Sequence, residues 1–159
     1  MLKYVALLAL LAVTSFAAEF KSIGYKTCAS ESTIVDVKSD LCELVEKNGR
    51  KVCLFQQGTS PNIRITFEPK KNFKSLKSYI RAKIGQGAMV EFPQSDTNAC
   101  NRGPKCPLKA GEKQTYEQEI HIASHYPVGE QVQVNWQLVT DDADAEKVVC
   151  FIFIAEMKK

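Results

Sequence analysis

Histidine and tryptophan are almost missing from this chain, with two of the first and one of the second in 159 residues. No C-x-x-C pair occurs either, so the closed Cys/His set of a structural zinc site has no source, and no metal is expected. His121 and His125 stand at a ligand spacing for a helix. In an extended segment, however, alternation turns His121 away from Ile120 and Ile122, while His125 falls at a turn, so both read as solvent-facing polar residues. There is no G-x-S-x-G elbow, no H-E-x-x-H and no phosphate-cradling glycine loop. Those absences remove the usual hydrolase, metalloprotease and nucleotide-binding signatures, and neither an enzyme nor a cofactor is expected. Asp141, Asp142 and Asp144 lack the spaced oxygen ligands of an EF-hand loop and read as a solvated hairpin tip. A dense basic footprint is missing too. The net charge is +3, and the mild cluster at Lys70, Lys71, Lys74, Lys77, Arg81 and Lys83 reads as a solvated sheet face, or as a weak docking patch for anionic lipid or a partner. Nucleic acid is not expected as a partner.

No apolar run reaches the roughly 20 residues that a bilayer span needs. The longest at the amino end, Tyr4 to Val13, follows Lys3 and precedes Ser15-Phe16-Ala17, which puts small residues at both positions that a signal peptidase inspects. This predicts a secretion signal over residues 1–17, cleaved after Ala17 or, alternatively, after Ala18. Residues 18–159 then form one domain, large enough for one sizeable core.

Against these absences stand six cysteines, at 28, 42, 53, 100, 106 and 150. An even count in an exported chain reads as a disulfide framework. Six cysteines allow fifteen pairings, and spacing alone does not choose among them. Locality favours some. Cys100 and Cys106 bracket the turn-rich Asn-Arg-Gly-Pro-Lys, and Cys42 and Cys53 bracket a hairpin signal at Lys47-Asn48-Gly49-Arg50. Cys28 and Cys150 are left over.

Period-two alternation dominates the rest. Thr33 to Val37 is rich in β-branched residues, and Ile63, Ile65 and Phe67 share one side of Asn62 to Glu68. Leu76, Ile80, Ala82 and Ile84 share a phase, Met89 to Phe92 is short, and Tyr116, Ile120 and Ile122 share another. Val132, Val134, Trp136 and Leu138 alternate with Gln131, Gln133, Asn135 and Gln137. Val148 to Ala155 is nearly continuous apolar, as a strand buried on both faces would be. Turn signals at Ser60-Pro61, Gly85, Gly87, Gly103-Pro104 and Ala110-Gly111 separate these runs. Seven or so short strands with no sustained helical period predict an all-β, antiparallel sandwich.

Several of these residues, in order, carry a resemblance. The series is Tyr25-Lys26-Thr27-Cys28, the Cys42 and Cys53 loop, Phe92-Pro93, Cys100 with Cys106-Pro107-Leu108, Tyr126-Pro127, Val134-Asn135-Trp136-Gln137-Leu138 and a late Cys150. From Phe20 to Ile154 the chain resembles the ML lipid-recognition domain family, which contains the secreted Niemann–Pick type C2 sterol-transfer proteins and the mite group 2 allergens. The resemblance implies an immunoglobulin-like sandwich of two sheets with a lipid held between them, and pairing Cys28–Cys150, Cys42–Cys53 and Cys100–Cys106. It also implies lipid contacts at Phe92, Ile122, Tyr126, Val132, Val134 and Trp136, each of which alternation alone would place in an ordinary core. The implied protein is a monomeric, secreted carrier of a sterol or similar apolar lipid, handing it to a membrane or receptor by transient docking. A carrier of fatty acids or semiochemicals, or a lipid-recognition module of innate immunity, is the alternative. The chain departs from the sterol-transfer pattern in the ten residues between Cys42 and Cys53, in a proline-poor stretch after Phe92, and in having no Asn-X-Ser/Thr sequon. The last point argues against a glycan-borne lysosomal address, so extracellular fluid is the expected location, with the lysosomal lumen as the alternative.

Overall fold

The structure, a computed structural model, describes residues 17–159, and the predicted secretion signal lies outside the described residues except for Ala17. The described strands are β1 (Lys21–Ser22), β2 (Lys26–Thr27), β3 (Ser32–Ser39), β4 (Glu43–Lys47), β5 (Arg50–Gln56), β6 (Asn62–Pro69), β7 (Lys77–Ile84), β8 (Met89–Glu91), β9 (Gln114–Glu119), β10 (Gln131–Val139) and β11 (Lys147–Lys158). One short 3-10 turn spans Ala99–Arg102. The strands form two sheets, ordered β1-β3-β6-β9 and β4-β5-β11-β10-β7-β8, with β2 also paired to β11. The result is an immunoglobulin-like β-sandwich. All pairings are antiparallel except that of β5 with β11, which run parallel from Ile154 opposite Val52 to Lys158 opposite Gln56.

Alternation builds the core. Ile63, Ile65 and Phe67 of β6 are fully buried, as are Trp136 and Leu138 of β10 and Phe151 of β11. Trp136 and Phe151 stack with ring centroids 6.0 Å apart, and Tyr116 meets Trp136 edge-on at 6.2 Å, an arrangement favourable to aromatic quadrupoles. The hairpin signal produces the β4–β5 hairpin, in which Lys47 faces Arg50 across a two-residue turn. Asn48 and Gly49 have φ of 52° and 72°, the left-handed pair that a type I′ turn demands. Disulfides join Cys28 to Cys150, Cys42 to Cys53 and Cys100 to Cys106, with Cα separations of 5.1, 5.3 and 5.8 Å.

Three local expectations are corrected. Regular pairing of β9 ends at Glu119, so Ile120 and Ile122 continue its phase outside the strand, their N–H groups donating to the carbonyls of Pro61 and Thr59. Gln137 is buried rather than wet: its register neighbours are Cys150, bridged to Cys28, and Tyr79 of β7. β11 is buried on both faces over Val148 to Phe151 and again over Ala155 to Met157, but not between them. Ile152 and Ile154 are half-buried, because beyond β2 their outer face opens into a groove beside the β4–β5 hairpin.

Candidate functional site

At one end of the sandwich a cavity of about 140 Å3 lies against the inner face of the larger sheet. Register explains its walls. Val132, Val134 and Trp136 point inward from β10 and lie directly opposite Ile84, Ala82 and Ile80 of β7. On the other side Val132 faces Ala155 and Val134 faces Phe153 of β11. Directly opposed residues share a sheet face, so these three strands present a continuous aliphatic and aromatic wall. Phe55 and Met157 extend it, and the segments Val90–Pro93 and Ile120–Pro127 close it.

All six residues singled out by the sequence, Phe92, Ile122, Tyr126, Val132, Val134 and Trp136, line this cavity. They differ in depth. Trp136, Ile122 and Val132 are buried, whereas Phe92, Tyr126 and Val134 are only partly so and stand toward the opening. Phe55, Phe153, Ala155 and Met157 also line it and were missed as site residues. The continuous apolar run of β11 hides which of its residues face inward.

Electrostatically the cavity is nearly blank. Among the described residues Glu91 is the one charged residue that borders it, and it sits opposite Arg81, a position that shares the outer face of the sheet. The inner wall therefore presents no charged side chain to a ligand. Polar groups occur at the two ends. At the opening stands Tyr126, whose ring meets His125 edge-on with centroids 5.0 Å apart and whose carbonyl accepts a hydrogen bond from Gln57 Nε2 at 2.6 Å. Ile84 and Val90 expose apolar surface nearby, at 37% and 56% of their area. Behind Trp136 lies a buried polar cluster. The Tyr116 hydroxyl donates to Gln118 Oε1, Gln118 Nε2 donates to Gln94 Oε1 at 3.2 Å, and the Ser78 hydroxyl donates to the same oxygen. Among the described residues no group of three or more His, Cys, Asp or Glu is placed to hold a metal ion.

Burial in this cluster pushes the Tyr116 phenol up to about 12. The unfolded phenol titrates near 10, so below that pH both states are neutral and stability is unaffected. Between pH 10 and 12 the unfolded chain alone loses the proton, and stability falls with rising pH by about 1.4 kcal/mol for each unit of difference. Chemical denaturation of Tyr116→Phe should show a much shallower decline across that window than the parent. Equal declines in the two proteins would remove Tyr116 as the cause.

Comparison with known proteins bears on the whole domain. The ML domain family profile matches residues 22–157. The protein heh-1 of Caenorhabditis elegans is 51% identical over 158 residues, covering 99% of this chain and 100% of the relative. The NPC intracellular cholesterol transporter 2 of Mus musculus is 23% identical over 141 residues, 88% of this chain and 89% of its own. Among solved structures, a Niemann-Pick type C2 protein from the Japanese carpenter ant superposes with a TM-score of 0.71 at 20% identity, covering 84% of this chain and 98% of the other. At that identity the superposition speaks for the fold.

Proposed function

The chain belongs to the ML domain family, and from that premise we propose that it is a secreted carrier that holds one sterol or similar neutral apolar lipid in the cavity and passes it to a membrane or receptor. The observation that carries this reading is the uncharged inner wall. Each Å2 of ligand apolar surface taken from water contributes about 25 cal/mol, whereas a buried carboxylate without a partner is strongly disfavoured. A fatty acid would have to leave its head at the opening beside Tyr126. A sterol hydroxyl can sit there at little cost, within reach of a phenol.

Size supports a loading step. The cavity of about 140 Å3 is smaller than the roughly 300–1,000 Å3 of ordinary small-molecule pockets. Entry of a lipid therefore requires the walls to part. The partly buried residues Phe92, Tyr126 and Val134 yield first, since the fully buried Trp136 and Phe153 are locked into the aromatic stack. Transfer uses the same opening and needs no covalent step. Three disulfides favour an oxidising, extracellular setting.

Native mass spectrometry of the secreted, fully oxidised protein, followed by organic extraction, tests the proposal. One neutral lipid per chain is expected, displaced by sterol more readily than by fatty acid or lipid A. Preferential capture of fatty acid would move the cargo to the alternative class, and preferential capture of lipid A would favour microbial recognition. A protein that takes up none of the three would end the carrier reading.

A further inference from the structure

Alternation gives the cavity wall a second side. Gln131 precedes Val132 and Gln133 separates it from Val134 in β10, Lys83 separates Ala82 from Ile84, and Ile154 separates Phe153 from Ala155. These outward residues gather around a depression of about 250 Å3, into which Arg50 projects from the start of β5. Arg50 and Lys83 thus flank a floor of glutamine amides. A second depression of about 710 Å3 shares Arg50, Gln133 and Ile154 with the first and carries Lys26 and Lys51 on its border. The two run into one trough. A row of the same face places Arg81, Asn135, Ile152 and Lys26 side by side, with Glu91 beyond Arg81 at the sheet edge. At about 4.8 Å per strand the row is about 14 Å long.

None of Lys26, Arg50, Lys51, Arg81 and Lys83 forms an ion pair among the described residues. Arg81 is held over the Tyr79 ring with its Nε buried and unpartnered. Few acids answer them. Glu156 is occupied by Lys47 at 2.7 Å, Glu46 stands opposite Lys51, Glu91 stands opposite Arg81 at the sheet edge, and Glu130 lies by the Gly85 turn. Arg50 and Lys83, with the glutamine amides between them, are therefore left with no acid directly opposite.

We propose that this trough binds a linear sulfated polysaccharide, one sulfate seated between Arg50 and Lys83 and the chain running past Lys51 and Lys26. Guanidinium and ammonium groups with amide donors suit sulfate oxygens, and Tyr25 and Ile152 offer apolar contact for sugar faces. A bilayer fits less well. Arg50 and Lys83 border a concave depression rather than a projecting face, and the exposed apolar side chains of this sheet, Ile84, Val90 and Leu44, stand opposite Val132, Ala82 and Cys53 on the other face.

The test is titration of the oxidised protein with a heparin oligosaccharide, with unsulfated dextran and phosphatidylglycerol vesicles alongside. The Arg50→Gln/Lys83→Gln double variant should bind the oligosaccharide about tenfold more weakly, as loss of two exposed ion pairs implies. The slope of log affinity against log salt should flatten by about two. Lys105→Gln/Lys109→Gln, which removes the same charge from exposed sites elsewhere, should bind like the parent. Lipid uptake should be unchanged in both double variants, since none of these side chains faces the cavity. Should the first double variant fold poorly, Arg50→Gln alone, at an exposed turn position, should still weaken binding about threefold. No binding to the oligosaccharide, equal loss in the two double variants, or binding to the vesicles alone would overturn the proposal.

Discussion

Replacing Cys28 and Cys150 together by alanine should lower the free energy of unfolding by about 5 kcal/mol, the largest stability effect expected of any bridge in the chain. Their separation is 122 residues, and the chain-entropy argument makes closure of so long a loop worth about that much. The same argument gives about 3 kcal/mol for Cys42–Cys53, separated by 11, and about 2 for Cys100–Cys106, separated by 6. Local structure sharpens the contrast. β2 contributes only Lys26 and Thr27 to the sheet, paired with Ile152 and Phe151, too few to hold the amino-terminal segment alone. The Cys28 N–H donates to the Cys150 carbonyl at 3.0 Å, so the bridge fastens that pairing at its end. Since a domain of this kind is held by about 5–15 kcal/mol in all, the double variant is expected to be near its unfolding threshold. Urea titrations of the three double variants measure the order directly. If loss of Cys100–Cys106 proves costlier than loss of Cys28–Cys150, loop closure does not govern stability here.

Legibility of this molecule followed one physical distinction. Where one face of a strand is wet, the period of two declares it, as in β6 and β10, and the residues facing the cavity can be named from sequence. Where both faces are covered, the pattern disappears. The apolar run of β11 could not reveal that Phe153, Ala155 and Met157 face the cavity while Ile152 and Ile154 face the outer trough. Strands of two residues, such as β1 and β2, carry no period at all and exist through pairing. The parallel contact of β5 with β11 is likewise a tertiary fact, invisible to any local signal. Buried polar residues mislead in the other direction. Gln118 and Ser78 lie inside because Tyr116 and Gln94 satisfy them, and an isolated glutamine or serine in a sequence does not announce its partner. The site positions Phe92, Ile122 and Tyr126 came from family resemblance, since alternation alone would have left them in an ordinary core.

That ambiguity between wall and core is what a pair of phenylalanine truncations resolves. Phe151 is fully buried, stacked on Trp136 at 6.0 Å and on Phe153 at 6.2 Å, and does not border the cavity. Phe151→Ala should therefore cost about 3–5 kcal/mol of stability, from lost transfer energy and an unfilled void. The folded fraction should bind lipid about as the parent does. Phe92 is only partly buried, its backbone N–H donates to the Ile80 carbonyl at 2.8 Å, and its side chain borders the cavity. Truncation to alanine leaves that hydrogen bond in place and removes ring surface already partly in water, so the stability cost should be about 1–2 kcal/mol. Affinity should fall by about tenfold or more, because a bound lipid would lose the ring as a wall. Denaturation midpoints and lipid titrations on both variants read the two quantities separately. A Phe92→Ala protein that loses 3–5 kcal/mol while binding lipid like the parent would return Phe92 to the core, and the opening of the cavity would then have to be sought at Tyr126 and Val134.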